Sequence, residues 1–531
     1  MSVTETRPAS SPEAEVDDGA EVAPRAEQRG LAGWLTTVDH KRVGGLWIAT
    51  AVLFLVVGSV VGGILGIERI DTGFSLLDDE TFGQVYTFHG EVAVFGFLVP
   101  MFIGLATAVV PLQVGARSIA FPRAATLAYW LYVASAGLLC AAYIANGGPG
   151  GGSDVGVDLY LLALGALNVS LCAALVPVLT TALALRAPGM TLLRTPLFTW
   201  SIVVGGGLTL LTSPVLVSQL IGLYIQSHFG DGFPAGGYES ISWFNSLPQV
   251  YLLTVPVAGV AAEVVPPLTG SRLRSHAGAL VLIGALGILG IGAWAQDPDT
   301  FDDLLYVGVG LAAVLPALAL LGLLGDAARS GKPVLRAPLV LALGGLVLLF
   351  LGTLAGALLV IDPLELQGTV WEAGQVHLVL YGAAVLGAFG GLWWWAPKLW
   401  GVHLGEWAGR GVAALTFLGA LGLAFPDLVA GLLDDQPLLS PGPNGQDPTG
   451  VMNVLSAAGG IVGALAILIA LGDLLGNVVR RRGRPATDDP WGAGTLEWAT
   501  TSPPPPDNFT GPLPVVTSAT PLFDRETAEV V

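Results

Sequence analysis

The sequence predicts an all-α integral membrane protein with twelve transmembrane helices. The chain of 531 residues is 53% hydrophobic and only 12% charged, with a mean hydropathy of +0.70. A soluble protein carries about 25% charged residues. Apolar runs long enough to cross a bilayer as helices recur along the chain. The twelve spans are predicted at about 43–66, 88–112, 122–144, 158–185, 196–226, 245–267, 276–295, 304–325, 337–361, 373–397, 409–432 and 451–475.

The charges between the spans predict the orientation of the chain. If the N-terminus lies inside, Arg69 is the only arginine or lysine that falls outside, as the positive-inside rule requires. The outer loops, such as "QDPDTFDD", are acidic or rich in Gly and Pro. We therefore expect a multi-pass protein of the plasma membrane, in contact with lipid, with both termini cytoplasmic. The net charge of −18 argues against a nucleic-acid partner.

The two ends of the chain differ in composition from the apolar body. Residues 1–32 are polar and acidic and are predicted to be a disordered N-terminal tail. Residues 33–478 form the predicted twelve-helix membrane domain. Residues 479–531, which include "SPPPP", are predicted to be a cytoplasmic C-terminal tail.

Two of the six histidines, His89 and His377, lie within predicted spans. Both spans enter from the outside, so the two side chains are expected at a similar shallow depth. Ionisable side chains inside a bilayer are costly and are usually functional. Two imidazoles at equal depth on separate helices can bind one haem iron from its two sides. Alternatively, each imidazole only hydrogen-bonds to a neighbouring helix, and the residues alone leave both readings open.

Several longer strings resemble subunit I of the haem–copper oxidases, the cytochrome c oxidase family. They are "TTVDHKRVGGLWI", "VPLQVGARSIAFPR", "RAPGMTLLRTPLFTWS" and "DDPWGAGTLEWATTSPPPPDNFT", and the resemblance runs from about residue 33 to 524. It implies a cytochrome c oxidase subunit I-like bundle. It also implies that His89 and His377 are the axial ligands of a low-spin haem, whose type, a or b, stays open.

The positions that would carry the family's catalytic centre read differently in this chain. The high-spin haem ligand belongs to an H-x-H pair, which here reads "QVH" and places Gln375 at the ligand position. The three copper ligands belong to "HPEVY" and "WAHH" motifs, which here read "LPQVY" and "WAQD". Leu247, Gln296 and Asp297 therefore replace them, although Tyr251 is retained. Copper at such a site takes imidazole nitrogens, and both histidines within the spans are assigned to the haem. No copper is expected.

The groups that the family uses for protons are also replaced. Gln249 stands where the family has a glutamate, and an amide does not release a proton at physiological pH. Three other groups receive simpler readings. Glu91, which could tune a haem, is expected to face the outer loop layer. Glu263 is expected to cap the inner end of a helix, and Trp393–Trp395 are expected to anchor the chain at the membrane interface beside Lys398.

The resemblance and the substitutions together favour a degenerate subunit I. Such a protein would keep one bis-histidine haem and act in respiratory electron transfer or as an assembly or structural subunit. It would not reduce oxygen by itself. The alternative is an active terminal oxidase that passes electrons from cytochrome c to oxygen and translocates protons. A haem-free scaffold is the third reading. Expected partners are other respiratory oxidase subunits and an electron donor such as cytochrome c or a subunit II.

Overall fold

The computed structural model describes residues 30–70, 76–149, 151–230, 254–290, 304–433, 437 and 449–524. The chain divides into two units, Met1–Thr37 and Val38–Val531. Of the first unit the structure describes a short helix, α1, Leu31–Leu35. Among the described residues the second unit is helical, and its β-structure consists of two isolated bridges.

The helices of the second unit follow one another along the chain with short connections. Three of them are continued or interrupted by π-helical turns at Val92–Leu98, His377–Ala384 and Leu475–Val479. The helices are α2 (His40–Glu68), α3 (Asp79–Glu91), α4 (Val99–Gln113), α5 (Pro122–Ile144), α6 (Asp154–Ala184), α7 (Leu197–Phe229), α8 (Thr254–Thr269), α9 (His276–Leu289), α10 (Leu304–Ala312), α11 (Val314–Ser330), α12 (Ala337–Leu358), α13 (Trp371–Val376), α14 (Val385–Trp400), α15 (Glu406–Leu433) and α16 (Thr449–Leu474).

Ten helices among the described residues are long and apolar enough to cross a membrane. The predicted count of twelve is therefore not reproduced in full. The two remaining predicted spans correspond to the shorter apolar helices α8 and α9, at Thr254–Thr269 and His276–Leu289. Each of these two helices adjoins a stretch outside the described residues, where the rest of the predicted span lies.

Polar side chains cap the helices where the sequence turns apolar. The carboxylates of Asp39 and Asp78 accept the backbone N–H of Lys41 and Thr81 at 3.0 and 2.8 Å. Glu263 of α8 accepts the N–H of Phe198 at 3.1 Å, at the first turn of α7. The expected role of Glu263 as a helix cap is thus what the contacts show. These acceptors satisfy N–H groups that have no partner inside their own helix.

The C-terminal segment 480–524 packs against one end of the bundle. We call this end of the bundle the tail face. The ammonium of Lys398, at the end of α14, donates to the carbonyls of Asp488 and Thr501 at 3.0 and 3.3 Å. Asn508 bridges the start of α2 to the loop after α4, contacting His40 Nε2 at 2.9 Å and donating to the Ala116 carbonyl at 2.8 Å. The segment is therefore part of the folded bundle rather than a free extension.

The three consecutive tryptophans are buried in the bundle, so the expected interfacial anchor is wrong. Trp393, Trp394 and Trp395 are 3%, 1% and 0% exposed. Trp394 stacks on Trp491 of the C-terminal segment with ring centroids 5.3 Å apart. Glu497 accepts from Trp395 Nε1 at 3.3 Å, and burial raises the pKa of this carboxyl above its ordinary value. Trp394 and Trp395 thus belong to the surface against which the C-terminal segment packs.

Helices α15 and α16 approach each other through glycines. A Cβ placed on Gly459 would lie 2.2 Å from the backbone nitrogen of Leu423, whereas a Cβ on the neighbouring Gly460 would meet only a Leu423 methyl at 3.7 Å. Small residues at such crossings let two backbones approach closely inside a bilayer.

We expect Gly459→Ala to destabilise the bundle and Gly460→Ala to leave it intact. The first substitution forces two backbones apart, and overpacking of this kind costs about 1–3 kcal/mol. The second adds a methyl where ordinary van der Waals space exists. The midpoint of thermal unfolding of each purified variant, monitored by size-exclusion chromatography in detergent, measures the difference in stability. Equal midpoints for the two variants would contradict the assigned crossing.

Candidate functional site

His89 and His377 are brought to the same region of the bundle by two helices with similar local structure. His89 lies less than three turns into α3, and His377 lies less than two turns after the start of α13. A π-helical segment begins within three residues of His89 and at His377 itself. The two π segments contact each other. Single π turns inside α-helices are frequent at functional sites.

Two glycines of α2 hold the imidazole of His89. Its Nδ1 lies 3.0 Å from the carbonyl oxygen of Gly58. Because that carbonyl only accepts, Nδ1 is the donor and Nε2 carries the lone pair. A Cβ on Gly62 would lie 2.7 Å from Cε1 of the same ring. Gly58 and Gly62 are one turn apart and share a face of α2. The imidazole ring therefore packs against a surface of the "GSVVG" string that carries no side chains at these two positions.

A charged group lies beside the imidazole of His377. Nδ1 of His377 is 3.8 Å from Oδ2 of Asp427 on α15, and the Asp427 side chain is fully buried. The His377 side chain is 24% exposed, but Nδ1 contributes nothing to that exposure. The exposed part of the His377 side chain therefore does not include Nδ1.

Gln375 points to a different neighbour from His377. It is fully buried, and its amide nitrogen lies 3.5 Å from the carbonyl of Gly352 on α12. His377 faces α15 instead, through Asp427. Residues two apart on a helix point about 200° from each other. The contact of Gln375 with α12 and that of His377 with α15 agree with this angle.

The side chains of His89 and His377 fit the ligand set of a six-coordinate haem. Histidines that ligate a metal direct their second ring nitrogen to a carbonyl or a carboxylate, and here Gly58 and Asp427 take those places. The other expected site positions, Leu247, Gln249, Tyr251, Gln296 and Asp297, lie outside the described residues. Within the described ranges, no group of three or more His, Cys, Asp or Glu side chains could hold a further metal ion.

Glu91 is buried between helices, so its expected position in the outer loop layer is wrong. The residue is 5% exposed. Its carboxylate accepts hydrogen bonds from Tyr160 at 2.6 Å and from Tyr143 at 3.0 Å. These tyrosines belong to α6 and α5, so Glu91 ties the helix of His89 to both.

The sequence reasoning missed three residues that the structure places beside the histidines. Asp427 and Arg69 form an ion pair at 3.2 Å, with the carboxylate completely buried. Asn453 of α16 accepts from Arg69 Nη2 at 3.0 Å and donates to the Arg69 carbonyl at 2.9 Å. Two features of the sequence could have identified Asp427 and Arg69. Asp427 is the single acidic residue within the apolar span 409–432, and Arg69 is the single basic residue among the acidic outer loops.

The fold defines a polytopic helical membrane protein. The family model described as "Cytochrome C and Quinol oxidase polypeptide I" matches residues 42–462. The chain therefore belongs to the cytochrome c and quinol oxidase subunit I family, whose members contain haem and work with other oxidase subunits.

Named relatives and a solved structure agree with this assignment. The chain is 31% identical to a probable cytochrome c oxidase subunit 1-beta of Nocardia farcinica, over 93% of this chain and 88% of the relative. It is 30% identical to a putative cytochrome c oxidase subunit 1-beta of Streptomyces coelicolor, over 94% and 92%. The fold also matches a haem–copper terminal oxidase dimer solved by cryo-electron microscopy. The TM-score is 0.71 at 16% identity, over 84% of this chain and 85% of that chain.

Proposed function

We propose that this chain is a degenerate oxidase subunit I that holds one low-spin haem between His89 and His377. It would act in respiratory electron transfer, or as an assembly or structural subunit beside an intact oxidase. The observation that carries the proposal is the pair of imidazoles whose Nδ1 atoms face Gly58 and Asp427. A haem with both axial positions filled carries single electrons and leaves its iron no open position for oxygen.

The protein's own contribution is to orient two neutral imidazoles and to keep water away from them. The Gly58 carbonyl selects the tautomer of His89 in which Nε2 is free to bind iron. The Asp427 carboxylate lies where it would do the same for His377. The surrounding helices supply an apolar wall, because the π segments that follow the histidines are largely buried. A low-polarity surrounding of this kind disfavours charge separation and bulk water near the ring edges.

The substitutions at the catalytic positions support a single haem without copper. Gln375 stands at the high-spin ligand position, fully buried and close to the Gly352 carbonyl. Leu247 has no donor atom, and Gln296 and Asp297 offer oxygen or amide groups where copper takes imidazole. Gln249 replaces a proton-relaying glutamate, and the retained Tyr251 lacks its neighbouring histidine.

An active terminal oxidase is the second candidate, and the names of the relatives favour it. The Nocardia and Streptomyces relatives are both named cytochrome c oxidase subunit 1-beta. In that case this chain would take electrons from a donor such as cytochrome c through a subunit II, with copper and a second haem bound. The two candidates differ in their metal content and in the chemistry of their iron.

Metal analysis of the purified chain separates the two candidates. We expect at most one haem iron per chain and no stoichiometric copper, because just two histidines, His89 and His377, lie within the predicted spans. Iron and copper are counted by mass spectrometry, and haem by its pyridine complex. The His89→Ala, His377→Ala double variant gives the background for iron. One copper per chain that survives chelation would contradict the degenerate reading and favour the oxidase.

Ligand variants test the haem site residue by residue. We expect His377→Ala or His89→Ala to abolish the low-spin spectrum or to convert it to a high-spin form, because each removes an axial nitrogen. Gln375→Ala is the matched control on the same helix, and it should leave the spectrum unchanged because an amide is a poor iron ligand. Optical spectra of oxidised and reduced protein measure the change. A haem-containing His377→Ala variant with the wild-type spectrum would place the haem elsewhere.

A further inference from the structure

Two buried polar atoms, Nδ1 of His377 and Oδ2 of Asp427, face each other without a hydrogen bond. Within the part of the chain that the structure describes, neither of these two atoms has a hydrogen-bond partner, whereas Oδ1 of Asp427 is paired with Arg69. Oδ2 and Nδ1 are 3.8 Å apart, which is beyond hydrogen-bond distance. An unsatisfied buried group in a native protein needs an explanation. Here a donor and an acceptor without partners are each other's neighbours.

The two histidines differ in the charge of their second partner. Nδ1 of His89 donates to a neutral backbone carbonyl, that of Gly58, at 3.0 Å. Nδ1 of His377 faces a carboxylate whose side chain is completely buried. A carboxylate that receives the second N–H of a ligating histidine raises the basicity of that ligand. The site is therefore electrostatically asymmetric along the axis that joins the imidazoles.

Arg69 and Asn453 fix the position of this carboxylate. Arg69 Nη2 lies 3.2 Å from Oδ1 of Asp427, so Oδ2 is left for His377. Asn453 holds Arg69 through two hydrogen bonds, at 3.0 and 2.9 Å. An unpaired carboxylate would be costly at this depth, and the arginine stabilises its charged form. The chain Asn453–Arg69–Asp427–His377 thus connects α16, α2, α15 and the π segment after α13.

We propose that Asp427 is a positioning residue that accepts the Nδ1 proton of His377 and makes this imidazole the more electron-rich of the two axial ligands. The inference rests on the proposed haem site and deepens it. An anionic partner on one ligand stabilises the oxidised iron relative to the reduced iron. Asp427 therefore lowers the midpoint potential of the haem, and Arg69 limits the size of that effect.

The decisive measurement is the midpoint potential of the haem in Asp427→Asn, titrated against wild type in detergent. The amide keeps the size of the carboxylate but removes its charge. We expect a higher potential, with at least a tenfold increase in the ratio of reduced to oxidised haem at the wild-type midpoint. For a one-electron couple this is about 59 mV. Glu497→Gln is the matched control, because it neutralises a buried carboxyl at the tail face, and it should leave the potential unchanged.

A double variant separates direct action on His377 from a general charge effect. The double variant Asp427→Asn, Arg69→Gln lacks both charges, so the net charge of the pair equals that of wild type. If Asp427 acts through the Nδ1 proton, the potential stays above wild type. A return of the potential to the wild-type value would overturn the proposed contact. Electron paramagnetic resonance of the oxidised protein should also show altered low-spin g values in both variants, because the axial ligand field changes.

Asn453→Ala supplies a second test that does not touch Asp427. Asn453 supports Arg69 without contacting His377, so its loss weakens the neutralisation of Asp427 and should lower the potential. A potential that does not fall would contradict the proposed chain of contacts. Failure of the proposed function has a different signature, namely wild-type protein without haem. A haem-replete Asp427→Asn variant with the wild-type potential and wild-type g values contradicts only the role of Asp427.

Discussion

Polar atoms inside the bundle need partners from other helices, and this constraint determines how the site is built. No lipid or bulk water can satisfy them at membrane depth. Glu91 is satisfied by tyrosines of two neighbouring spans, and His89 by a carbonyl that α2 exposes between two glycines. Asp427 is held by Arg69, which directly follows α2. Each of these contacts locks one helix to another, so the residues that orient the histidines also fix the packing of the bundle around them.

The same constraint explains the order of the C-terminal segment. Lys398 at the end of α14 is completely buried, and its ammonium must find acceptors there. The backbone carbonyls of the tail provide them, and Asn508 makes a second attachment at the start of α2. The tail face is therefore closed by hydrogen bonds and stacked tryptophans rather than by apolar contact alone. Composition alone could not predict this, because a segment rich in Pro and Ser has the same signature whether it is docked or free.

Much of the fold could be predicted from the sequence, because a transmembrane helix is fixed by length and hydropathy. The bounds of spans such as 122–144 and 337–361 are close to α5 and α12. The surroundings of the histidines were less accessible, since hydropathy does not say which faces of two helices meet. Glu91 and Trp393–Trp395 were misplaced for that reason. The π segments were not predicted, because they depend on tertiary packing. The Gly58–Gly62 pair did carry a readable signal, because glycines four apart in a span mark close helix approach.

We propose that His89 and His377 both bind the iron of one haem and leave it no open position. The most direct test is the difference spectrum of reduced wild-type protein with and without carbon monoxide, titrated to saturation. With imidazoles from His89 and His377 on both sides of the iron, carbon monoxide should leave the spectrum almost unchanged. Stoichiometric binding of carbon monoxide would show an open haem, and it would contradict the account of this chain as a degenerate subunit I.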